Sequence, residues 1–163
     1  MATPSPSLIA SDAMQYQGVP YAWAKANPNG WDCSGFVNWV LGHDLGMALP
    51  GSVKAGFSGK SHGPVVVQYA TWTKATKVRS PEAGDLCIWY GLGAAGHIGI
   101  AVSPTQMISA LNPALGTIVT DIQGTGPPSA PLTYRRVTGM GQAVGCIPGA
   151  GLIWMLSKRF SLT

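Results

Sequence analysis

The sequence predicts an α+β domain in which N-terminal helices pack on an antiparallel sheet of about five strands. The first third of the chain has apolar residues at helical spacing, whereas short apolar runs separated by turn residues follow from Leu86 onward. Helices that precede a series of neighbouring strands are typical of α+β architecture. With 163 residues, the chain is long enough for one domain with a proper core.

The chain begins with a small, Pro-rich arm, Met1 to Ser7, which we expect to be loosely held. A short helix is predicted from Leu8 to Tyr16, with Ser11-Asp12 as a cap inside it or just before it. An aromatic turn, Gly18 to Trp23, and a loop rich in Gly, Pro and Asn, Ala26 to Gly30, then lead to a second helix.

The second helix is predicted from Ser34 to about Gly42, after which His43, Asp44 and Gly46 break the pattern. Asp32 is its expected N-cap residue. Its apolar stripe consists of Phe36, Val37, Val40 and Leu41. Cys33 therefore falls at the point where a loop becomes a helix.

The second half of the chain contains the predicted sheet. A loop at 52–63 is followed by a run from Val65 to Thr73 that suits a strand or a helix equally well. The predicted strands cover residues 86–90, 97–102, 107–110, 117–122 and 134–137. Turn residues separate them, as expected for an antiparallel meander.

Charge and composition exclude some partners. Only 10% of the residues are charged, and ten Lys and Arg residues against six Asp and Glu residues give a formal net charge of +4. No basic run alternates with aromatic residues, so nucleic acid is not an expected partner. A surface with so few charges is typical of extracellular or assembled proteins, and the small positive charge would suit an anionic cell wall.

The three cysteines, Cys33, Cys87 and Cys146, do not form a metal or redox motif. None belongs to a Cys-x-x-Cys unit, so we expect no metal site and no cofactor. At least one thiol is free unless it pairs with another chain. Cys87 is predicted to pack inside a strand and Cys146 to lie in the tail, and whether these two pair stays open.

The two ends of the chain differ in composition from the rest. The N-terminus has neither the basic region nor the apolar core of a signal peptide. Residues 145–160 are apolar but are interrupted by Pro148, Gly149 and Gly151, and no clean run reaches the roughly 20 residues of a membrane span. The sequence thus predicts a domain at 1–137 and a docking or assembly tail at 138–163, with no expected membrane contact.

Cys33 is a candidate nucleophile. A cysteine in the first turn of a helix lies among unpaired backbone N–H groups and at the positive end of the helix dipole, and both favour the thiolate. The alternative is a buried structural thiol. A nucleophilic cysteine also needs a base, which is normally a histidine distant in sequence and close in the fold.

The chain offers three histidines for that role. His97 opens a predicted strand directly after a glycine-rich loop, so its ring can project from the sheet end toward a helix start. His43 lies at a helix end, where a cation is favoured for structural reasons. His62 lies in a floppy loop, and neither of these two is expected to have a frame that holds it. The alternative for His97 is an ordinary loop-edge histidine.

Five segments together resemble the NlpC/P60 family of cell-wall cysteine peptidases. They occur in the family's order between about Ser7 and Val137 and are Gly18–Trp23, Asp32–Phe36, Pro81–Leu86, Gly96–Ile100 and Met107–Ala110. The resemblance implies a papain-like fold with Cys33 as the nucleophile and His97 as the base.

The resemblance also implies roles for neighbouring residues. Tyr21 matches a tyrosine whose hydroxyl helps to hold the oxyanion, and Asp32 and Ser34 match positions that recognise the free amine of the substrate. The residue that orients the histidine is usually His, Asn or Gln, and Ser109 stands there instead, with Asn112 as the rival orienting residue. Trp23 is expected to bind substrate on one wall of the cleft, although Trp23-Ala24-Lys25 replaces the common Trp-Gly-Gly.

The implied function is hydrolysis of the bond between D-glutamate and the diamino acid in the stem peptide of bacterial peptidoglycan. A bacteriophage tail or another cell-wall-penetrating assembly is the expected setting, in the virion or the cell envelope, with residues 138–163 free to contact other tail or envelope proteins. Two alternatives stay open. One is an amidase of the related CHAP type, or an acyl-transfer enzyme, on the same fold. The other is a structural module of a virion tail tip with weak or no activity.

Overall fold

Within the described residues, 4–91 and 96–138 of a computed structural model, helices pack on a six-stranded sheet beside a small hairpin. The elements are α1 (Pro6–Met14), β1 (Ala26–Asn27), β2 (Gly30–Trp31), α2 (Cys33–Asn38), a π-helix (Trp39–Asp44), α3 (Val66–Ala70), β3 (Ala75–Val78), β4 (Leu86–Trp89), β5 (His97–Ala101), β6 (Gln106–Asn112), β7 (Gly116–Asp121) and β8 (Leu132–Val137). The large sheet has the order β3-β8-β4-β5-β6-β7 with antiparallel neighbours. The α+β prediction is confirmed.

Helix α1 begins earlier than predicted, because its cap is Ser5 and not Ser11-Asp12. The Ser5 hydroxyl accepts a hydrogen bond from the backbone N–H of Leu8 at 3.2 Å, and Pro6 occupies the first helical position. Proline is favoured there because its missing N–H would have no helical partner in any case. Ser11 instead donates its hydroxyl to the Leu8 carbonyl inside the helix.

Helix α2 starts as predicted and then changes its winding. Asp32 is the N-cap residue, and its carboxylate accepts from the backbone N–H of Gly35 at 2.8 Å. Regular α-helix ends at Asn38, and a π-helix continues to Asp44, two residues beyond the predicted end near Gly42. The spacing of the apolar residues could not indicate the π-helix. A π-helix differs from an α-helix in the hydrogen-bond partner of each N–H, whereas the spacing reports only which residues are buried.

The sheet has one more strand than the predicted five. The five predicted strands are present, with ends shifted by up to two residues, and β4 to β7 form a meander. The extra strand, β3, is a short edge strand paired with β8, and its Thr76 and Lys77 are exposed. The polar residues of β3 gave no strand pattern in the sequence, so this strand was not predicted. The ambiguous run from Val65 is helix α3, and the loop at Ala26–Gly30 contains the β1–β2 hairpin.

The core places the start of α2 against the start of β5. Helix α2 packs on β5 and β6, and the fully buried side chains between them include Phe36, Ile98 and Ile108. Each such side chain contributes about 1.5–3 kcal/mol by leaving water. Trp31, also fully buried, donates its indole N–H to the Thr117 hydroxyl at 2.8 Å, which ties the hairpin to β7. The first residues of α2 and β5 are thereby held close together.

Two sequence predictions fall outside or at the edge of the described residues. The predicted tail, apart from Thr138, lies outside them, as does Cys146, so the boundary at 137 stays a prediction.

Cys87 is a free thiol with no exposed surface, as its strand pattern predicts. Among the residues that the structure describes, no helix has the length and apolar character needed to cross a membrane.

Candidate active site

Cys33 is the first residue of α2, and its side chain is nearly enclosed. Burial, together with the negative charge of Asp32, raises the pKa of its thiol to about 11. Backbone hydrogen bonds from Ile98, Ser34 and Cys33 itself lower the pKa but do not offset burial. The backbone N–H groups at the helix start favour the thiolate, as predicted, but desolvation outweighs them.

His97 is the first residue of β5 and is also buried. Burial lowers the pKa of its ring to about 4, so the imidazole is neutral near neutral pH. Its ring packs against the ring of Trp89, with the two ring centroids 5.7 Å apart. Burial thus favours the uncharged form of both groups.

Ser109 lies behind the His97 ring. Its hydroxyl oxygen is 3.1 Å from His97 Nε2, and the whole residue is inaccessible to solvent. A ring that receives a proton at Nδ1 carries its hydrogen on Nε2, and that N–H can donate to the hydroxyl. Asn112 is engaged elsewhere, because its side-chain oxygen accepts from the backbone N–H groups of Ala114 and Leu115. The residue that contacts the ring is therefore Ser109.

The other residues implied by the resemblance surround the same cleft. Tyr21 is half-buried, and burial, followed by the charges of Cys33 and Asp32, raises the pKa of its hydroxyl. Ser34 is buried and lies 3.3 Å from the Asp32 carboxylate. Trp23 is 79% exposed and stands at the rim. All three line the cleft with Cys33.

His62 is held by hydrogen bonds, contrary to the sequence prediction. Its Nε2 lies 2.8 and 3.0 Å from the two carboxylate oxygens of Asp32, and its Nδ1 lies 3.1 Å from the Gly63 carbonyl oxygen. The Asp32 hydrogen bond raises the pKa of His62 against the opposing effect of burial. At Asp32, burial raises the pKa, but the bonds from His62 and Gly35 prevail and hold it below its usual value.

Asn38 is the residue that holds the His62 loop. Its side-chain amide donates to the carbonyls of His62 at 2.6 Å and Pro64 at 2.9 Å. The hydroxyl of Tyr69 donates to the Asn38 side-chain oxygen at 2.7 Å, and both residues are fully buried. Asn38 is a polar residue beside the apolar stripe of α2. Because a buried amide requires hydrogen-bond partners, this position could have indicated that the His62 loop packs against the helix.

His43 also has a frame, contrary to expectation, but it lies outside the cleft. Its ring stacks on Trp39 with centroids 3.7 Å apart, and its Nδ1 is 2.7 Å from an Asp44 carboxylate oxygen. These contacts belong to the π-helix. His43 therefore provides a histidine–aspartate pair remote from the cleft residues.

The cleft has a volume of about 720 Å³. Its lining includes Cys33, His97, Asp32 and His62. Exposed apolar side chains stand around it, namely Trp23, Val65, Val67 and Tyr90. A thiol, a neutral base with an acceptor behind it and a tyrosine hydroxyl are the groups that acyl transfer requires.

The chain is similar to a known protein family and to proteins named as endopeptidases. Residues 18–135 match the NlpC/P60 family. The chain is 32% identical over 121 residues to the probable endopeptidase p60 of Listeria grayi, covering 74% of this chain and 20% of that protein. It is 32% identical over 105 residues to the bifunctional muramidase/DL-endopeptidase CwlT of Bacillus subtilis, covering 62% of this chain and 28% of that protein.

Solved structures show the same fold. The NlpC/p60 domain of the peptidoglycan hydrolase SagA superposes with a TM-score of 0.59 at 27% identity, covering 80% of this chain and 97% of that one. An NlpC/P60 family protein from Bacillus cereus superposes with a TM-score of 0.63 at 18% identity, covering 83% and 41%. The chain spans about a fifth of the length of curated relatives such as the Listeria grayi protein. Because the family match extends over most of its length, the chain belongs to the NlpC/P60 family.

Proposed function

We propose that this chain is a cysteine peptidase domain that hydrolyses an amide bond in the stem peptide of bacterial peptidoglycan. The observation that carries the proposal is that Cys33, at a helix start, and His97, with Ser109 at its Nε2, line one cleft in a member of this family. Relatives named as endopeptidases and as a peptidoglycan hydrolase support it.

The proposed chemistry starts from an uncharged pair. The Cys33 thiol transfers its proton to His97 Nδ1 as the sulfur attacks the carbonyl carbon of the scissile amide. The imidazolium then protonates the leaving amine, the C–N bond breaks, and a thioester remains. Water gives a proton to His97 and attacks the thioester, which releases the carboxylic acid and restores the thiol. No metal or cofactor enters these steps.

Tyr21 and the Cys33 backbone N–H are the proposed oxyanion donors. Because burial and the charge of Asp32 raise the pKa of Tyr21, its hydroxyl keeps its proton and can donate. A donor placed before the reaction stabilises the developing charge without reorganisation. Ser109 is the proposed orienting residue, since its hydroxyl can accept from Nε2–H and stabilise the imidazolium.

The proposed bond joins D-glutamate to the diamino acid, and the proposed setting is a bacteriophage tail or another cell-wall-penetrating assembly. The bond is supported by similarity to CwlT, which is described as a DL-endopeptidase. The setting is supported only by the sequence, which has 10% charged residues and a separate apolar segment at 138–163. Docking of that segment on other tail or envelope proteins belongs to the same proposal.

Digestion of purified peptidoglycan tests the function. Wild type and Cys33→Ala are incubated with the polymer, and the products are identified by mass spectrometry. We expect wild type to release fragments that end in D-glutamate and the variant to release none. Cys87→Ala is the matched control, because this buried thiol lies outside the cleft residues.

Two other outcomes would identify the alternatives. Products cleaved at another amide would favour an amidase of the CHAP type. No cleavage by wild type, together with a Cys33 that resists a thiol alkylator, would contradict the peptidase proposal and favour a structural module.

A further inference from the structure

Trp89 lies directly beside the proposed base. It is the last residue of β4 and pairs with His97, the first residue of β5, in the antiparallel register of the sheet. Residues paired in this way present their side chains on the same face. The two ring centroids are 5.7 Å apart, with the ring planes at 46°. The imidazole therefore has the indole on one side, and the Ser109 hydroxyl contacts its Nε2 from β6.

Gly126 lies against the same indole. A Cβ atom added at Gly126 would lie 2.2, 2.3 and 2.4 Å from Cδ2, Cε2 and Cγ of Trp89, which is closer than Cβ atoms approach other atoms in proteins. The φ angle of Gly126 is not in the left-handed region, so the need for glycine comes from space and not from backbone conformation. Only a residue without a side chain fits here while the indole keeps its place.

The indole has little freedom to move aside. Trp89 is 4% exposed and belongs to a buried cluster that also contains Met107, Ile122 and Ala130. A close-packed interior has few voids and transmits a displacement to its neighbours. A displaced Trp89 would therefore press on the side chains around it, and His97 is one of them.

The loop that carries Gly126 reaches from the cleft to the indole. Residues 122–131 join β7 to β8, and the buried side chains of Ile122 and Ala130 anchor the loop. Three of its residues line the cleft, namely Thr125, Gly126 and Pro127. Gly126 therefore contacts the space for substrate as well as the indole beside the base.

We infer that Trp89 and Gly126 are positioning residues for His97, in which the indole fixes the imidazole and excludes water from it, and Gly126 leaves room for the indole. This inference rests on the proposed function, in which His97 is the base. A base held in one orientation keeps its acceptor nitrogen toward the thiol, and a misplacement of about 1 Å can lower a rate about 10²-fold.

Burial, and not a charged neighbour, lowers the pKa of His97 to about 4. Loop 122–131 and strand β6 contain no ionisable side chain. The ionisable residues that line the cleft with His97, or share its face of the sheet on β4, are Tyr21, Asp32, Cys33, His62, Tyr90 and Cys87. Removal of the indole should therefore raise the pKa of His97 by admitting water.

Histidine NMR spectra of ¹⁵N-labelled protein, recorded against pH, test the role of Trp89. In Trp89→Leu the pKa of His97 should rise by at least about one unit, toward the ordinary value of about 6.5, and the neutral ring should change from one tautomer to a mixture. Trp89→Phe keeps an aromatic ring and should stay within about half a unit of wild type. Trp72→Leu is the matched control, because this buried tryptophan lies outside the cleft residues. An unshifted His97 in Trp89→Leu would overturn the inference.

Replacement of Gly126 tests whether this residue acts through Trp89. Gly126→Ala should lower kcat on a stem peptide at least about fivefold with KM within about twofold of wild type, because the base is misplaced while binding remains. Gly124→Ala is the matched control in the same loop, since a Cβ atom there meets nothing within 4 Å. In Trp89→Ala no ring carbon remains near Gly126, so adding Gly126→Ala should change kcat by less than about twofold. Circular dichroism gives the folded fraction by which each kcat is divided.

The other outcomes are distinct. An equal loss of kcat from Gly126→Ala with and without the indole would overturn the inference, because Gly126 would then act by another route. If Trp89→Ala does not fold, the His97 titration in Gly126→Ala decides, and a wild-type curve there would overturn the inference. No cleavage of any stem peptide by wild type would contradict the proposed function alone, since the titrations need no substrate.

Discussion

His97 and His62 line the same cleft, but their surroundings differ in every property that sets a pKa. His97 is buried, has the neutral hydroxyl of Ser109 at Nε2, and has a pKa lowered to about 4 by burial. His62 is more exposed, contacts the Asp32 carboxylate and the Gly63 carbonyl, and has a raised pKa. Burial favours the neutral form of His97, whereas the Asp32 carboxylate favours the charged form of His62.

The difference shows that partners, rather than residue type, assign the roles. Desolvation disfavours the charged form of a histidine, and a carboxylate at hydrogen-bond distance favours it. A base must be neutral to accept a proton, which is the role proposed for His97. The five predictions below test this division of roles, beginning with the largest expected effect.

Removing the His97 imidazole should lower activity more than any other change. His97→Gln should lower kcat/KM on the stem peptide by about 10²–10⁴-fold, because no other group in the cleft can accept the thiol proton at that position. The measurement is steady-state hydrolysis with His43→Gln as the control. A loss smaller than about tenfold would mean that the ring has no general-base role.

The pH dependence of stability should differ in sign between the two histidines. The folded pKa of His97 lies below the unfolded value, so the unfolded state binds more protons and stability rises from about pH 4 to 6.5, by on the order of 3 kcal/mol. The folded pKa of His62 is raised, so its contribution is complete below 6.5 and is lost as pH rises through the folded pKa.

Urea unfolding of wild type, His97→Gln and His62→Gln across this range checks both signs. In the His97 variant the free energy of unfolding should no longer rise between about pH 4 and 6.5. In the His62 variant it should no longer decline above pH 6.5. Parallel curves for the two variants would refute the assigned charge states.

Ser109→Ala should have a moderate and diagnostic effect. Loss of one hydrogen bond to the imidazolium should lower kcat about tenfold and move the acid limb of the kcat pH profile to lower pH, because that bond favours the charged ring. Ser109→Thr keeps the hydroxyl and should restore the position of the limb. A fall in kcat with no movement of the limb would indicate a packing role only.

A third titrating group, outside the cleft residues, allows the same rule to be tested with a carboxyl. Burial and the charge of Asp44 raise the pKa of Asp12 to about 6, so the folded state binds its proton more tightly than the unfolded state. Stability from this source falls as pH rises from about 4 to 6. Asp12→Asn should therefore raise Tm by about 2 °C at neutral pH and by nothing near pH 4, as thermal unfolding would show. A lower Tm at neutral pH would contradict the assignment.

The smallest effect is expected at Ala24, whose N–H donates to Asp32. Ala24 has φ of 56°, a left-handed conformation that costs a residue with a Cβ about 1–2 kcal/mol, whereas glycine adopts it freely. Ala24→Gly should stabilise the fold by about 0.5 kcal/mol after the greater entropy of glycine is subtracted. Chemical denaturation measures this, and a destabilised variant would show that the Ala24 methyl packs usefully.

Local sequence patterns predicted a large part of this molecule. The N-cap at Asp32, the helix that follows it and the strands from Leu86 to Val137 were all visible in the sequence, because capping and alternation depend on neighbours within a few residues. The positions of Cys33 and His97 at element ends also followed from these patterns. The roles assigned to them stay predictions until the variants are measured.

Other features depended on contacts that no local pattern reveals. Strand β3 exists because β8 returns to pair with it, and the π-helix leaves the apolar spacing unchanged. The pKa of the Cys33 thiol has causes of both kinds, because the helix start is a local property, whereas the burial that overrides it comes from packing against β5.

The sequence by itself determined where a nucleophile and a base could stand and which family pattern they follow. Only the tertiary structure decided the burial that shifts their pKa values and the partner of His62, which meets Asp32 across 30 residues of chain and has its backbone carbonyl bound by Asn38. The physical reason is that ionisation depends on desolvation and on the nearest partner, and both arise only when distant segments pack together.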